Sequence, residues 1–159
     1  MKKNTKISIL FSATLLVVAA STSAFSQSRF SKNELSINGF RNPSVGLEYR
    51  HKQLSYHAGY YPTNFVSGET TSFLKVGATA WFLPVGKKEN PSSFYAGASY
   101  LRGFDRDYVD KNALGIEAGF RWMVWKGLNV RIGVIGVAAE GETFKINPTP
   151  GISYSFFFK

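Results

Sequence analysis

The sequence predicts an all-β chain, eight antiparallel strands closed into an up-and-down barrel. Two observations carry this. The last nine residues, Gly151 to Lys159, alternate so regularly that Ile152, Tyr154, Phe156 and Phe158 share one face while Ser153, Ser155 and Phe157 share the other. Upstream lie seven more short alternating segments separated by turn residues, with no helical period of useful length. A long aromatic terminal strand is an aggregation hazard unless its edge is paired, and closure supplies the pairing.

The N-terminus is a different kind of segment. Lys2, Lys3 and Lys6 precede an apolar run from Ile7 to Ala20 and small residues through Ser26, the plan of a cleavable secretory signal peptide. The run is shorter than the roughly 20 residues of a membrane-anchoring helix. Cleavage after Ala24 or Ser26 fits the small-residue rule, and Ser26 is favoured, leaving Gln27 first in the mature chain. The expected organisation is a signal peptide at 1–26, a flexible lead-in at 27–33 and a barrel at 34–159. Removing 26 of 159 residues leaves 133, enough for one domain, and loss of the three signal lysines lowers the formal charge from +9 to +6. The basic residues are spread singly, without the clusters and stacking aromatics of a nucleic-acid surface, so nucleic acid is not expected as a partner. Attraction to anionic lipid head groups is the simpler account. The absence of cysteine excludes disulfides and a cysteine-linked lipid anchor.

In order, strand one is 34–40, with Leu35 and Ile37 on one face, ended by Arg41-Asn42-Pro43. Strand two, 44–50, groups Val45, Leu47 and Tyr49 against Gly46, Glu48 and Arg50. An even-numbered turn around His51-Lys52 leads into strand three, 54–61, where Leu54, Tyr56, Ala58 and Tyr60 oppose Ser55, His57 and Gly59. A polar loop is expected at 62–71. Strand four, 72–82, sets Leu74, Val76, Ala78, Ala80 and Phe82 against Phe73, Lys75, Gly77, Thr79 and Trp81. After a connection at 84–92, strand five covers 93–101 with Phe94, Ala96, Ala98 and Tyr100 together. The charged loop 102–112 precedes strand six, 113–124, with Leu114, Ile116, Ala118, Phe120 and Trp122 opposite Gly115, Glu117, Gly119, Arg121 and Met123. Trp125-Lys126-Gly127 suits a three-residue hairpin with the glycine left-handed. Strand seven is 128–137, a loop is expected at 139–148, and the closing strand completes eight.

Alternation does not say which face points inward; the non-aliphatic face does. It carries Gly46, Gly59, Gly77, Gly97, Gly115, Gly119 and Gly133 with isolated charges, unlike a water-facing surface rich in Lys and Glu. Small residues and a few charges suit the narrow interior of an eight-stranded barrel. The other face then points out, an apolar band flanked by the aromatics Tyr60, Phe82, Phe94, Tyr100, Trp122, Trp125, Phe156 and Phe158. That is the surface of a barrel in lipid, the one strand architecture that leaves no backbone group unpaired there.

Signal peptide, eight strands and an aromatic closing strand together resemble the small outer-membrane β-barrel proteins of the OmpA-transmembrane-domain and OmpX type, over essentially the whole mature chain. The resemblance implies both termini in the periplasm of a Gram-negative bacterium and the loops at 62–71, 102–112 and 139–148 outside the cell. It also implies outer-membrane lipids, lipopolysaccharide and the barrel-insertion machinery as partners, the last engaged by the C-terminal strand. It supports the fold far better than a function.

The candidate chemistry lies on the inner face. Glu48, Lys75, Glu117, Arg121 and Arg131 are expected as an ion-paired interior network, since charges in a narrow interior are costly unless paired. The hairpin at 125–127 sets Arg121 against Arg131, so either a carboxylate such as Glu117 or Glu48 lies between them or the register differs. Ser55, His57 and Glu48 form a weak catalytic candidate, the nucleophile, base and orienting acid that acyl transfer uses, with Glu48 expected across from Ser55. Asp105, Asp107 and Asp110 lack the glycine and distal glutamate of a calcium loop, and no metal, cofactor or phosphate-loop signature is present. The expected function is structural or surface-interacting through the outer loops, not enzymatic, with a lipid A-modifying enzyme or a narrow ion channel as alternatives.

Overall fold

The computed structural model describes residues 30–40 and 45–158. The expected signal peptide, residues 27–29 of the expected lead-in, Arg41-Asn42-Pro43, Ser44 at the expected start of strand two and Lys159 lie outside the described residues. The strands are β1 Asn33–Gly39, β2 Val45–His51, β3 Leu54–Val66, β4 Glu69–Val85, β5 Ser92–Gly103, β6 Asn112–Trp125, β7 Leu128–Ala139, β8 Lys145–Pro148 and β9 Gly151–Phe158. Neighbours pair antiparallel in the order β6, β5, β4, β3, β2, β1, β9, β7, and β6 pairs with β7, so the sheet closes as a ring of eight strands.

The ninth label does not add a strand to the ring. β8 lies on β7 with Val134 opposite Pro148, β9 lies on β7 with Arg131 opposite Gly151, and Thr149 N donates to Gly133 O at 2.8 Å between them. The register is unbroken, so the closing strand starts at Lys145 and is interrupted only by Pro150. The loop expected at 139–148 is therefore shorter, because two prolines hide the strand's period from the sequence.

The register fixes the shape of the ring. Starting at Ser155 and moving strand to strand through Ser36, Glu48, His57, Gly77, Ser99, Gly115 and Val137, the path returns to the closing strand at Lys145, ten residues from its start. At about 3.3 Å per residue and about 4.8 Å between strands, that stagger tilts the strands by about 40°, inside the roughly 35–45° range of closed sheets.

The loop expected at 62–71 is mostly strand, with the turn at Ser67-Gly68. Pro62 is accommodated because Phe104 N donates to Ser72 O, which turns the peptide of Ser72 away from β3. The Pro62/Ser72 pair is thus a non-hydrogen-bonded one, and the proline nitrogen points toward β2, whose pairing ends at Tyr60. The same logic holds across the gap. Thr149 points its N–H at β7, so Pro148 and Pro150 turn their hydrogen-free nitrogens toward β1, whose described pairing ends at Ile152. Both strand edges that outreach the described part of the β1–β2 hairpin are proline-bearing edges.

Two turns differ from expectation. Lys126, not Gly127, takes the left-handed conformation (φ 46°), and Trp125 pairs with Leu128 after a register shift, leaving a two-residue turn. Gly127 is needed for closeness instead, since a Cβ there would lie 2.1 Å from Ser155 O. Between β2 and β3 the turn is Lys52-Gln53, with Lys52 at φ 53°. Glu48 therefore faces His57, and Arg50 faces Ser55. This shift of two residues leaves every side chain on its expected face.

The facing follows the sequence pattern. Glu34, Ser36, Asn38, Glu48, Arg50, Ser55, His57, Lys75, Thr79, Glu117, Arg121 and Arg131 are buried inside the ring. Leu47, Leu114, Ile116, Ile132 and Ile152 point out, Ile116 with 73% and Ile132 with 67% of its surface open.

Candidate functional site

The interior is layered. At the end holding the turns 52–53 and 126–127, Phe30 is buried with its ring 4.8 Å from the Arg50 guanidinium. Phe30 was expected in a flexible lead-in; it closes this end instead, and β1 begins at Asn33. Above it, Glu34 accepts from Arg50 Nε at 2.9 Å and from Arg121 Nη1 at 2.7 Å, and is also ion-paired to Arg50 Nη2. Trp81 comes next, with the guanidinium carbons of Arg121 and Arg131 lying 4.3 and 5.0 Å from its ring centre. Such contacts partly replace hydration for a buried cation.

The middle layer is centred on Glu48. Arg131 Nη1 donates to its Oε2 at 2.6 Å and Ser55 Oγ to its Oε1 at 2.5 Å. Trp81 Nε1 donates to Ser55 Oγ at 2.8 Å. His57 bonds Ser99 Oγ at 3.0 Å and Thr79 Oγ1 at 3.3 Å. Lys75 Nζ donates to Glu117 Oε2 at 2.6 Å. A small cavity remains among Glu48, His57, Lys75, Tyr95, Glu117 and Arg131.

The upper interior is apolar. Tyr61, Phe73, Leu101, Ala113, Ile135 and Val137 form one buried cluster, joined by Tyr108 from the β5–β6 connection. Tyr108 sits in a short 3-10 turn and its ring lies 5.3 Å from both Phe65 and Phe73. Burial pushes its phenol up in pKa, and Glu142 and Asp107 add to the effect. The charged loop thus folds inward as a cap, held by Ser72 Oγ donating to Asp105 and by the Arg102–Asp110 and Arg106–Glu69 pairs at 2.7 and 3.0 Å.

All five expected network residues meet inside the ring, in pairs only partly as expected. Glu48 serves Arg131, Glu117 serves Lys75, and the carboxylate on Arg121 is Glu34. Glu34 and Arg50 are not among the expected network residues, although alternation with Leu35 and Tyr49 puts both inside. Of the catalytic candidates, Ser55 bonds Glu48 directly, while His57 contacts Ser99 and Thr79 rather than Ser55. The nucleophile and its base are therefore not in the relay that acyl transfer uses. The expected interface aromatics are on the outer surface: Tyr60, Phe94, Tyr100, Trp122, Trp125, Phe156 and Phe158 are exposed, and Phe82 is half-buried beside Phe94. Among the described residues no cluster of His, Cys, Asp or Glu could hold a metal ion.

Fold and interior together define a class: an all-β protein whose antiparallel sheet closes as a ring of eight strands, apolar outside and ion-paired inside. Compared with family models, curated proteins and solved structures, the chain finds no match.

Proposed function

We propose that the chain is an integral outer-membrane β-barrel of a Gram-negative bacterium, with a structural or surface-interaction role through its outer loops. One observation carries the reading: the ring is inside out for water. Leu, Ile, Val, Tyr and Phe cover its outer face, while its charged side chains are sequestered within. Water penalises that arrangement, and a patch of this extent is far beyond what soluble monomers expose. A bilayer reverses the sign.

The loops at 104–111 and 140–144 and the turn at 67–68 are assigned to the outside, with both termini and the turns at 52–53, 86–91 and 126–127 in the periplasm. Outer-membrane lipids, lipopolysaccharide and the insertion machinery remain the proposed partners. The structural role is favoured over conduction because ion pairs, Trp81 and the Tyr108 cap fill the interior. It is favoured over catalysis because the polar atoms of Ser55 and His57 are engaged in bonds within the lumen.

The test is reconstitution. Purified protein should refold from urea into phospholipid vesicles, gain β circular dichroism and migrate as a compact, heat-modifiable species. A protein that folds equally well without lipid or detergent and stays in the aqueous phase would overturn the reading.

A further inference from the structure

The two ends of the ring differ in how their charges are neutralised. At the end where the described chain enters at Phe30 and leaves at Phe158, the entry and the three turns each carry an exposed lysine: Lys32 where it enters, Lys52 between β2 and β3, Lys87 and Lys88 between β4 and β5, and Lys126 between β6 and β7. Glu89 is the acid that these described crossings carry. None of the five lysines has an ion-pair partner among the described residues. Lys88 Nζ donates to the carbonyls of Met123 and Val124, at 2.8 and 3.2 Å, and Lys126 Nζ stands 4.8 Å from the Trp125 ring centre. Lys52 N bonds Lys32 O at 2.9 Å, which places those two residues side by side.

At the opposite end three of the four described cations are matched. Arg102 pairs with Asp110, Arg106 with Glu69 and Lys111 with Glu142, and against Lys145 stand Asp105, Asp107 and Glu140, so the described residues of this end are net acidic.

Just inside the lysines lies the aromatic girdle of the same end: Trp122 and Trp125 on β6 and Phe156 and Phe158 on β9, all exposed. Aromatics at the apolar boundary with lysines one step further out match the layering of a bilayer surface, where amphipathic rings sit at head-group depth and ammonium groups reach phosphates. Basic groups held at that depth attract anionic head groups over about a Debye length.

We infer that the terminus-bearing end is an anionic-phospholipid-binding collar, in which Lys32, Lys52, Lys87, Lys88 and Lys126 hold the phosphate groups of the leaflet next to the turns. This rests on the membrane-spanning reading and adds to it a lipid class, a leaflet and the residues that select it. The opposite end, net acidic and with most of its described cations ion-paired, has no corresponding demand.

The experiment uses the mature chain refolded into vesicles of phosphatidylcholine alone or with phosphatidylglycerol, at low and high salt. The collar variant combines Lys32→Gln, Lys52→Asn, Lys87→Gln and Lys126→Asn; asparagine is chosen where the backbone is left-handed, a conformation it tolerates. Lys88 is kept because it ties the β4–β5 turn to the end of β6. A charge-matched control combines Arg102→Gln, Arg106→Asn, Lys111→Gln and Lys145→Gln. Native mass spectrometry of protein released from mixed vesicles should show phosphatidylglycerol retained over phosphatidylcholine by wild type and control. The collar variant should lose that preference by about fivefold for each lysine removed, the equivalent of about 1 kcal/mol per residue at the surface. Added phosphatidylglycerol should also raise the melting temperature of the wild type at low salt only. Insertion into both vesicles with equal lipid retention by all three proteins would overturn the collar and leave the membrane reading standing. Failure to insert into either would overturn both.

Discussion

Arg121 and Arg131 are register partners on β6 and β7, both inside the ring and both against the ring of Trp81, yet their carboxylates come from different strands. Glu34 on β1 takes Arg121 and Glu48 on β2 takes Arg131. Two like charges in direct register are unfavourable, and here each is compensated across the lumen by a strand on the far side. The wall is thus cross-braced from within, in addition to its backbone ladders.

The brace predicts a strongly coupled pair. Arg131→Leu leaves Glu48 charged and buried with only Ser55 and Asn38 as donors, and should cost about 3–5 kcal/mol in urea refolding titrations. The double variant Arg131→Leu, Glu48→Gln should recover most of that loss, because it is the orphaned charge rather than the missing bond that is expensive. A near-neutral single variant would count against a charged Glu48.

Much of the fold was legible because period-2 alternation is a local signal, and it assigned inside and outside along every strand. What escaped is non-local or masked by proline. The partner of Arg121 depends on the ten-residue stagger of the whole ring, which no window of sequence encodes; of the two carboxylates expected near the arginine pair, Glu117 or Glu48, Glu48 takes Arg131 while Arg121 takes Glu34. Lys145–Pro148 and Pro62–Val66 read as loops because proline removes a donor, and only the finished register shows those nitrogens facing edges with no partner among the described residues. The Lys52-Gln53 turn slipped by one because both choices keep the same faces inward. Tyr108 sits in a run of charges that gives no sign of an inserted ring.

The turn at 126–127 separates two roles that sequence assigns to one glycine. Lys126→Gly relieves a left-handed lysine and should be neutral or stabilising by up to about 1 kcal/mol. Gly127→Ala drives a methyl into Ser155 O and should cost about 1–3 kcal/mol. Thermal melting of the two variants side by side checks this, and the reverse order would contradict the turn geometry.

The proposed topology can be read with single cysteines, since the chain has none of its own. On intact cells a membrane-impermeant maleimide should label the Glu140→Cys protein and leave the Lys126→Cys protein unlabelled until the cells are opened. Labelling in the opposite order would invert the orientation.

The proline edges give the last prediction. Beyond the described pairing of β1 and β2, β3 continues to Val66 and the closing strand begins at Lys145, so among the described residues each presents a backbone edge, bridged by Asn147 Nδ2 donating to Thr63 Oγ1. An exposed edge with free donors templates pairing with another chain. Pro62, Pro148 and Pro150 each remove the donor from a position that faces the gap, and so act against edge-to-edge association. Pro148→Val restores one N–H and a β-favouring side chain without touching the ladder to β7, whose donors come from the alternate residues. Combined with Pro62→Thr it should leave the melting temperature of the refolded monomer nearly unchanged while raising the fraction of dimers and higher species, measured by light scattering in detergent. If the prolines matter only as turn residues, the double variant should instead lose stability and remain monomeric.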